Sequence, residues 1–482
     1  VIDRRSLGNP LRWYLAAVLL GMVLSLGVGD QVLKFHVHRL VQLLPALGLL
    51  AWCFRPQPPA FFREPVISGW YGLGLVGFAV TALVGGFLGP IPWISLAFLG
   101  LALLQFGLLP LLRPAWQRHR SDSLRVLALF SLAVLGIDVG IWLAATFQGQ
   151  TPYAYTYWVT PQMALDHVPY LHLNSRWANQ LPVLLIWSFV PLLQQLQEGE
   201  IRRRRWFWWG VCGAIPLLGM AQILLSNGDG AFLSVVAATA LMALLGAGGS
   251  GGQRRLWWGA AAAMLAATLV AGLGDALLDG SRFVGGLVER NVSELSEGLE
   301  REGMRLSVWS QHLRASLGSP LWGGGIQALP PERALCTPHN LWVALLHWTG
   351  LLGTGCALLL AGAFVPRRWS QLGRLPLAAP LLAALFVYQL VDDIWLRPFA
   401  LAVLLVVLPG LLLAGPGESL PEPQKPLQPV WLKRLAFPAV TYRFLTLVGV
   451  LLMVVSFVLP EGVQIGPTPL VQQRGADCLL FF

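Results

Sequence analysis

Apolar residues run along this chain in blocks of about twenty, and the gaps between the blocks hold most of the charge. A helix needs about 20 mostly apolar residues to cross a bilayer. Blocks of that kind fall at roughly 11–28, 38–54, 66–88, 91–112, 126–147, 181–197, 207–225, 231–249, 256–273, 340–364, 375–391, 398–414 and 443–460. Only Gly89-Pro90-Ile91-Pro92 separates the third from the fourth. The pattern therefore predicts an all-α polytopic integral membrane protein with about 12–13 transmembrane helices.

Two gaps are too long to be turns, at 148–180 and 274–339, and long loops of this kind usually carry function or disorder. The second holds Arg282, Arg290, Arg301, Arg305, Arg314 and Arg333 against eight carboxylates between Asp275 and Glu332. Within it, residues of about 300–317 read as an amphipathic helix. Leu306, Trp309, Leu313 and Leu317 repeat at helical spacing, with Arg301, Arg305 and His312 on another face. Ser319-Pro320-Leu321-Trp322-Gly323-Gly324-Gly325 then ends that helix in a turn. The organisation expected is a helical region over 1–273, a loop over 274–339, a second helical region over 340–460 with a Pro/Glu/Lys-rich linker at 415–442, and a tail over 461–482.

Charge adds an orientation. With the first span retained and the N-terminus inside, alternate gaps collect 22 of the 33 Lys and Arg residues on the cytoplasmic side, and the long 274–339 loop faces out. Asp3-Arg4-Arg5 before an apolar run has the look of a signal peptide, but no small-residue cleavage site follows, so it is read as the start of the first span. Composition agrees with the membrane reading: 56% of residues are hydrophobic and only 12% charged, and mean hydropathy is +0.64. A soluble domain carries about 25% charged residues. The net charge of +10 does not point to nucleic acid, because the basic residues sit in the short gaps between spans. Five Cys without CxxC or Cys/His spacing predict no zinc site. Without a P-loop, GxSxG or HExxH motif, nothing points to ATP hydrolysis, serine-hydrolase chemistry or a cofactor.

The candidate chemistry gathers on the outward side. His339-Asn340 stands where the long loop re-enters an apolar span. One reading is an interfacial histidine held by a backbone hydrogen bond. The other is a general base, since histidine's ordinary pKa of about 6.5 lets it take a proton near neutral pH, with Asn340 orienting the ring or a substrate hydroxyl. Gly350 and Gly353 let a neighbouring helix approach. Arg305 and Arg176 are candidates for gripping a diphosphate, because guanidinium matches phosphate oxygens in bidentate geometry. Asn174, Asp392, Asp393 and Arg397 border the same face as possible substrate contacts. Asp138 lies inside a span, where an ionisable group is either functional or a hydrogen-bonded structural tie. Asp229, in Asn227-Gly228-Asp229-Gly230, fits a turn between helices.

His339-Asn340, nine residues, Gly350, two residues, Gly353 resembles the pattern of the O-antigen ligase-like glycosyltransferase superfamily, which includes O-antigen ligases, O-antigen polymerases and protein or pilin O-oligosaccharyltransferases. Arg305-Leu306-Ser307-Val308-Trp309 followed by Ser319 to Gly325 is similar to the stretch before that histidine, and Asn174 to Gln180 to an earlier segment. Many relatives carry Ser-Arg-Gly where this chain has Gly228-Asp229-Gly230. The resemblance implies a GT-C-like, metal-independent enzyme of the bacterial inner membrane. It would act at the periplasmic face, moving a glycan from undecaprenyl diphosphate to lipid A-core, a growing glycan or a protein. His339 and Asn340 would be catalytic, and Arg305 and Arg176 would hold the donor diphosphate. A competing reading from another class is a transporter or flippase of lipid-linked sugars, using Asp138 and the loop arginines. Cys336 and Cys478 both fall on the expected outer face, where a bridge could join them.

Overall fold

The computed structural model describes residues 9–28, 69–88, 119–147, 175–226, 228–249, 251–279, 305–325, 338–362, 378–392 and 439–458, with isolated positions in 37–51, 99–107 and 400–407 and at 116. Every regular element among them is helical. In chain order these are α1 (Pro10–Ser25), α2 (Gly69–Leu88), α3 (Arg120–Phe147), α4 (Ser175–Leu185), α5 (Phe189–Gln197), α6 (Arg205–Leu225), α7 (Asp229–Gly248), α8 (Gly251–Asp279), α9 (Arg305–Ser316), α10 (Leu341–Gly362), α11 (Ala379–Tyr388) and α12 (Ala439–Val458). Helices α3, α6, α7, α8 and α10 are long and apolar enough to cross a membrane, and α1, α2, α11 and α12 hold shorter apolar stretches. This agrees with a polytopic α-helical membrane protein. The expected spans at 38–54, 91–112 and 398–414 fall mostly outside the described residues. The 415–438 part of the linker, the tail at 461–482, Cys336 and Cys478 do so entirely.

The centre of the bundle is α4 and α5. Residues 178–196 of this helical strut are buried without interruption, the polar Asn179, Gln180, Ser188, Gln194 and Gln195 included. Its regularity breaks once. Pro191 has no N–H to offer the carbonyl of Trp187, and there the chain tightens into a 3-10 turn over Ile186–Ser188, with Phe189 N–H donating to the carbonyl of Ile186. Around this strut pack α3, α6, α7, α8 and α11. Ser188 bonds Ser131 of α3 at 2.9 Å, and Gln222 of α6 donates to Asp138 of α3 at 2.7 Å and to the carbonyl of Ala178 at 3.0 Å. Asp138 is thus tied through Gln222 to α6 and, by the same amide, to the start of α4. Two predicted boundaries move: α4 starts inside the expected 148–180 loop, and α8 continues into the expected 274–339 loop.

A second group forms from α2, α9 and α10. Lipid offers no hydrophobic drive for helices to associate, so close approach of small residues has to supply the contact. Gly74 of α2 leaves only 3.0 Å between its missing Cβ and the carbonyl of Cys356, and Gly85 leaves 3.3 Å to the carbonyl of Trp348. Antiparallel chain direction through the bundle gives it two ends. The starts of α4, α7 and α10 and the ends of α6 and α11 meet at one. At the other, α5 ends and α6 and α8 begin.

Candidate functional site

The start of α10 is strapped to the end of α11. Asn340 caps α10: its Oδ1 accepts from the N–H groups of Trp342 at 3.0 Å and Val343 at 3.1 Å, satisfying donors that a helix start leaves open. Its Nδ2 donates to the carbonyl of Leu390 at 3.1 Å, and Leu341 N–H donates to the carbonyl of Gln389 at 3.0 Å. His339 sits between these anchors with φ 48°, a left-handed conformation rare for a residue with a side chain. Such a conformation costs about 1–3 kcal/mol and persists where the surroundings over-determine it. Here they do, because Trp309 Nε1 of α9 donates to the carbonyl of Pro338 at 2.7 Å on one side while Asn340 is fixed on the other.

The resulting His339 side chain is 17% exposed, and its Nδ1 lies 3.7 Å from Oδ1 of Asp392, an ion-pair separation. Asp392 is itself only 5% exposed. Its Oδ2 accepts from the hydroxyl of Tyr388 at 3.1 Å and from Nε2 of Gln180 at 3.4 Å. Gln180 belongs to the first turns of the central strut, so α4, α10 and α11 converge on one carboxylate. Nearby, Ser226 donates to Oδ1 of Asn179. Gly228 lies where any Cβ would strike that Asn179 side chain, and Gly230 packs its Cα against Val391 of the α11 end. The Gly228-Asp229-Gly230 sequence thereby seats the start of α7 beside the site, with Asp229 in the first helical turn. Buried amide atoms remain around it: among the described residues, Oε1 of Gln180 and both Nε2 and Oε1 of Gln389 have no hydrogen-bond partner.

Helix α9 lies along the first half of α10. The expected helix of about 300–317 is described from Arg305 to Ser316, but its inward face is not the leucine stripe. Leu313 and Leu317 are exposed, whereas Val308 and His312 are buried. The buried side is chosen by a polar contact: Nδ1 of His312 lies 2.8 Å from Nδ1 of His347 in α10, one ring donating and the other accepting, with the rings edge-on at 78°. Arg305 is one turn before Trp309 on the same face, which brings the start of α9 alongside Pro338-His339.

Beyond His347 the helix α10 is broken. Gly350 takes φ 65° and ψ −170°, so the helical ladder stops and restarts there. The turn after α9 stitches the gap. Gly324 and Gly325 donate to the carbonyls of His347 (2.8 Å) and Trp348 (3.1 Å), while Leu351 and Leu352 donate to the carbonyls of Pro320 (2.8 Å) and Leu321 (3.2 Å). Four of the backbone groups that the break frees are satisfied in this way, as a membrane interior demands. Gly350 therefore serves a left-handed break rather than helix approach alone, and an added Cβ would overlap the carbonyl of Leu321. Gly353 makes room for Thr349 and for Thr81 of α2.

Of the residues singled out in the sequence, the structure brings together His339, Asn340 and Asp392 and places Arg305 on the helix docked beside them. Arg176 lies in the first turn of α4, with its side chain outside the described residues; Asn174, Asp393 and Arg397 also lie outside them. Sequence reasoning passed over Gln180, Tyr388 and Gln389 as site residues, and His347 entirely. The available signal was an uncharged amide or imidazole inside an apolar span, which has to find a partner. No metal-binding group of three or more His, Cys, Asp or Glu occurs among the described residues. Compared with known protein families and with curated proteins, the chain matches none.

Proposed function

We propose that the His339 end is a glycosyl-transfer site, in which a glycan carried on undecaprenyl diphosphate passes to an acceptor hydroxyl at the periplasmic face of the bacterial inner membrane. Ligation of O-antigen to lipid A-core is the foremost reaction, with O-antigen polymerisation and protein or pilin O-glycosylation as the alternatives. The observation that supports it best is His339 itself: a partly exposed ring on a left-handed backbone, beside the buried carboxylate of Asp392.

A hydroxyl is a poor nucleophile until a base takes its proton. In the proposed step the acceptor oxygen bonds to the anomeric carbon, the bond from that carbon to the phosphate oxygen breaks, and the lipid diphosphate leaves with the electron pair. Nδ1 faces Asp392, so Nε2 is the nitrogen that takes the proton, and the carboxylate stabilises the imidazolium that forms. Asn340, whose side chain caps α10 and bonds the α11 end, acts as a positioning residue. Oε1 of Gln180 and the side-chain amide of Gln389, without partners among the described residues, are suited to sugar hydroxyls, and Arg305 to the charge that builds on the leaving diphosphate. The transporter alternative used Asp138 and the loop arginines, and of these Asp138 is engaged by Gln222 inside the bundle.

The test is the purified full chain with lipid-linked glycan and three acceptors side by side, lipid A-core, lipid-linked glycan and pilin, without ATP. Covalent transfer to any of them supports the reading, and the acceptor that reacts names the enzyme. Movement of donor across a vesicle without transfer overturns it. Arg305→Ala is expected to raise the KM for donor more than for acceptor; the opposite split removes the diphosphate role.

A further inference from the structure

At the end of the bundle away from His339, the chain turns from α5 into α6 through Glu198-Gly199-Glu200-Ile201-Arg202-Arg203-Arg204. This turn is tightly held. Gly199 takes φ 73°, Glu200 N–H donates to the carbonyl of Gln195 at 3.0 Å, and Ile201 is 3% exposed. Arg204 adopts a left-handed φ of 54° directly before α6. With the backbone pinned at Gln195 and Ile201, Arg202, Arg203, Arg204 and Arg205 are all exposed.

Helix α8 starts at the same level. Gly259 lies against Gln197 at the end of α5, so Arg254 and Arg255, about one turn earlier on α8, stand beside the arginine turn and are also exposed. Six arginines against Glu198 and Glu200 leave this patch at +4. Among the described residues none of the six is ion-paired.

Directly below the charge the surface becomes apolar. Trp206 is 88% exposed and Trp258 is 48% exposed, and both lie within one turn of an arginine. On the Trp258 face of α8, Leu265 and Leu269 continue outward at 59% and 65% exposure. On the Trp206 face of α6, added Cβ atoms at Gly210 and Gly213 would meet nothing within 4 Å, leaving a shallow open track. A soluble anion would match the arginines but not the apolar face. A ligand with a phosphate head and acyl tails covers both.

We propose that this end binds an anionic phospholipid, its phosphate held by the α5–α6 arginine turn with Arg254 and Arg255, and its acyl chains lying on the exposed faces of α6 and α8 below Trp206 and Trp258. The site is separate from the one at His339 and does not rest on glycosyl transfer.

The test uses the full chain in nanodiscs of phosphatidylcholine, titrated with phosphatidylglycerol or phosphatidylcholine brominated on the acyl chains, with quenching of tryptophan fluorescence as the readout. The unaltered chain is expected to be quenched at lower mole fractions of the brominated anionic lipid, a preference that shrinks with salt. Each arginine near an anionic surface contributes about a fivefold preference, so R202Q/R203Q is expected to lower it by more than tenfold and R202K/R203K to keep most of it. Equal quenching of the unaltered chain by both lipids overturns the proposal by itself, whatever the variants do. If R202Q/R203Q does not fold, R254Q/R255Q on the neighbouring helix takes its place. Full preference in a folded glutamine variant overturns it as well.

Discussion

Asp392 and Arg203 carry opposite charges at opposite ends of one bundle, and their surroundings differ in every respect. Asp392 is 5% exposed, takes hydrogen bonds from Tyr388 and Gln180 and lies within ion-pair distance of His339. Arg203 projects from a turn whose backbone is pinned while its side chain reaches out beside five other arginines. Burying a charge is tolerable only when it is paired and hydrogen-bonded, so the first arrangement fixes three helices relative to one carboxylate. Leaving charges out in the open asks nothing of the neighbouring helices. One end is built for precise geometry, the other for contact with whatever lies outside it.

The sharpest way to break that contrast is to remove the ring at the ordered end. His339→Ala is expected to lower transfer by about 10²–10⁴-fold while the chain still elutes as a folded species in detergent. Retention of activity would end the catalytic assignment. Next comes a matched pair of glycine substitutions. Gly350→Ala meets a left-handed φ and the carbonyl of Leu321, and should cost about 3 kcal/mol or more. Gly210→Ala, in open space near the arginines, should be neutral or stabilise by up to about 1 kcal/mol through helix propensity. Thermal unfolding in detergent reads both, and equal losses would erase the distinction between a tight end and an open one.

A smaller effect is expected from Asp392→Asn, which keeps an acceptor for Tyr388 and Gln180 and removes the charge facing His339. Contacts to charged groups contribute about 1.5–3 kcal/mol, so kcat should fall by about ten- to hundredfold with little change in unfolding temperature. A fall in stability as large as the fall in kcat would make the carboxylate a structural tie like Asp138. The smallest is Trp309→Phe, which deletes one hydrogen bond to the carbonyl of Pro338, a net contribution of about 1 kcal/mol. It should loosen α9 and lower transfer by about fivefold, as measured in the same assay.

Much of this architecture is legible in the order of residues. Apolar blocks foretell α3, α6, α7, α8 and α10 because a bilayer imposes length and hydropathy on any span. His339-Asn340 is visible because two polar residues at the mouth of a span are unusual. What cannot be read is partnership across the chain. Nothing near Gln180 in sequence says that its amide meets Asp392, 212 positions away. Periodicity finds α9 and then favours the leucine face, whereas the inward side is set by His312 meeting His347, a contact with no periodic signature. Gly350 looks like a packing glycine for the same reason: its left-handed turn depends on residues 320–325, which lie outside its own helix.

That dependence sets an order of events during synthesis. Chains fold from the N-terminus as they emerge, and residues 320–325 leave the ribosome before Gly350 does. When α10 arrives, the carbonyls of Pro320 and Leu321 and the amides of Gly324 and Gly325 that close its break already exist. The broken segment need never pass through an unbroken helical stage, and a copy of α10 made without its predecessor would have no template for the break. Reversing the two pieces, by a circular permutation that places 305–325 after 341–362, would present the membrane with a helix whose gap has no partners at the moment of insertion.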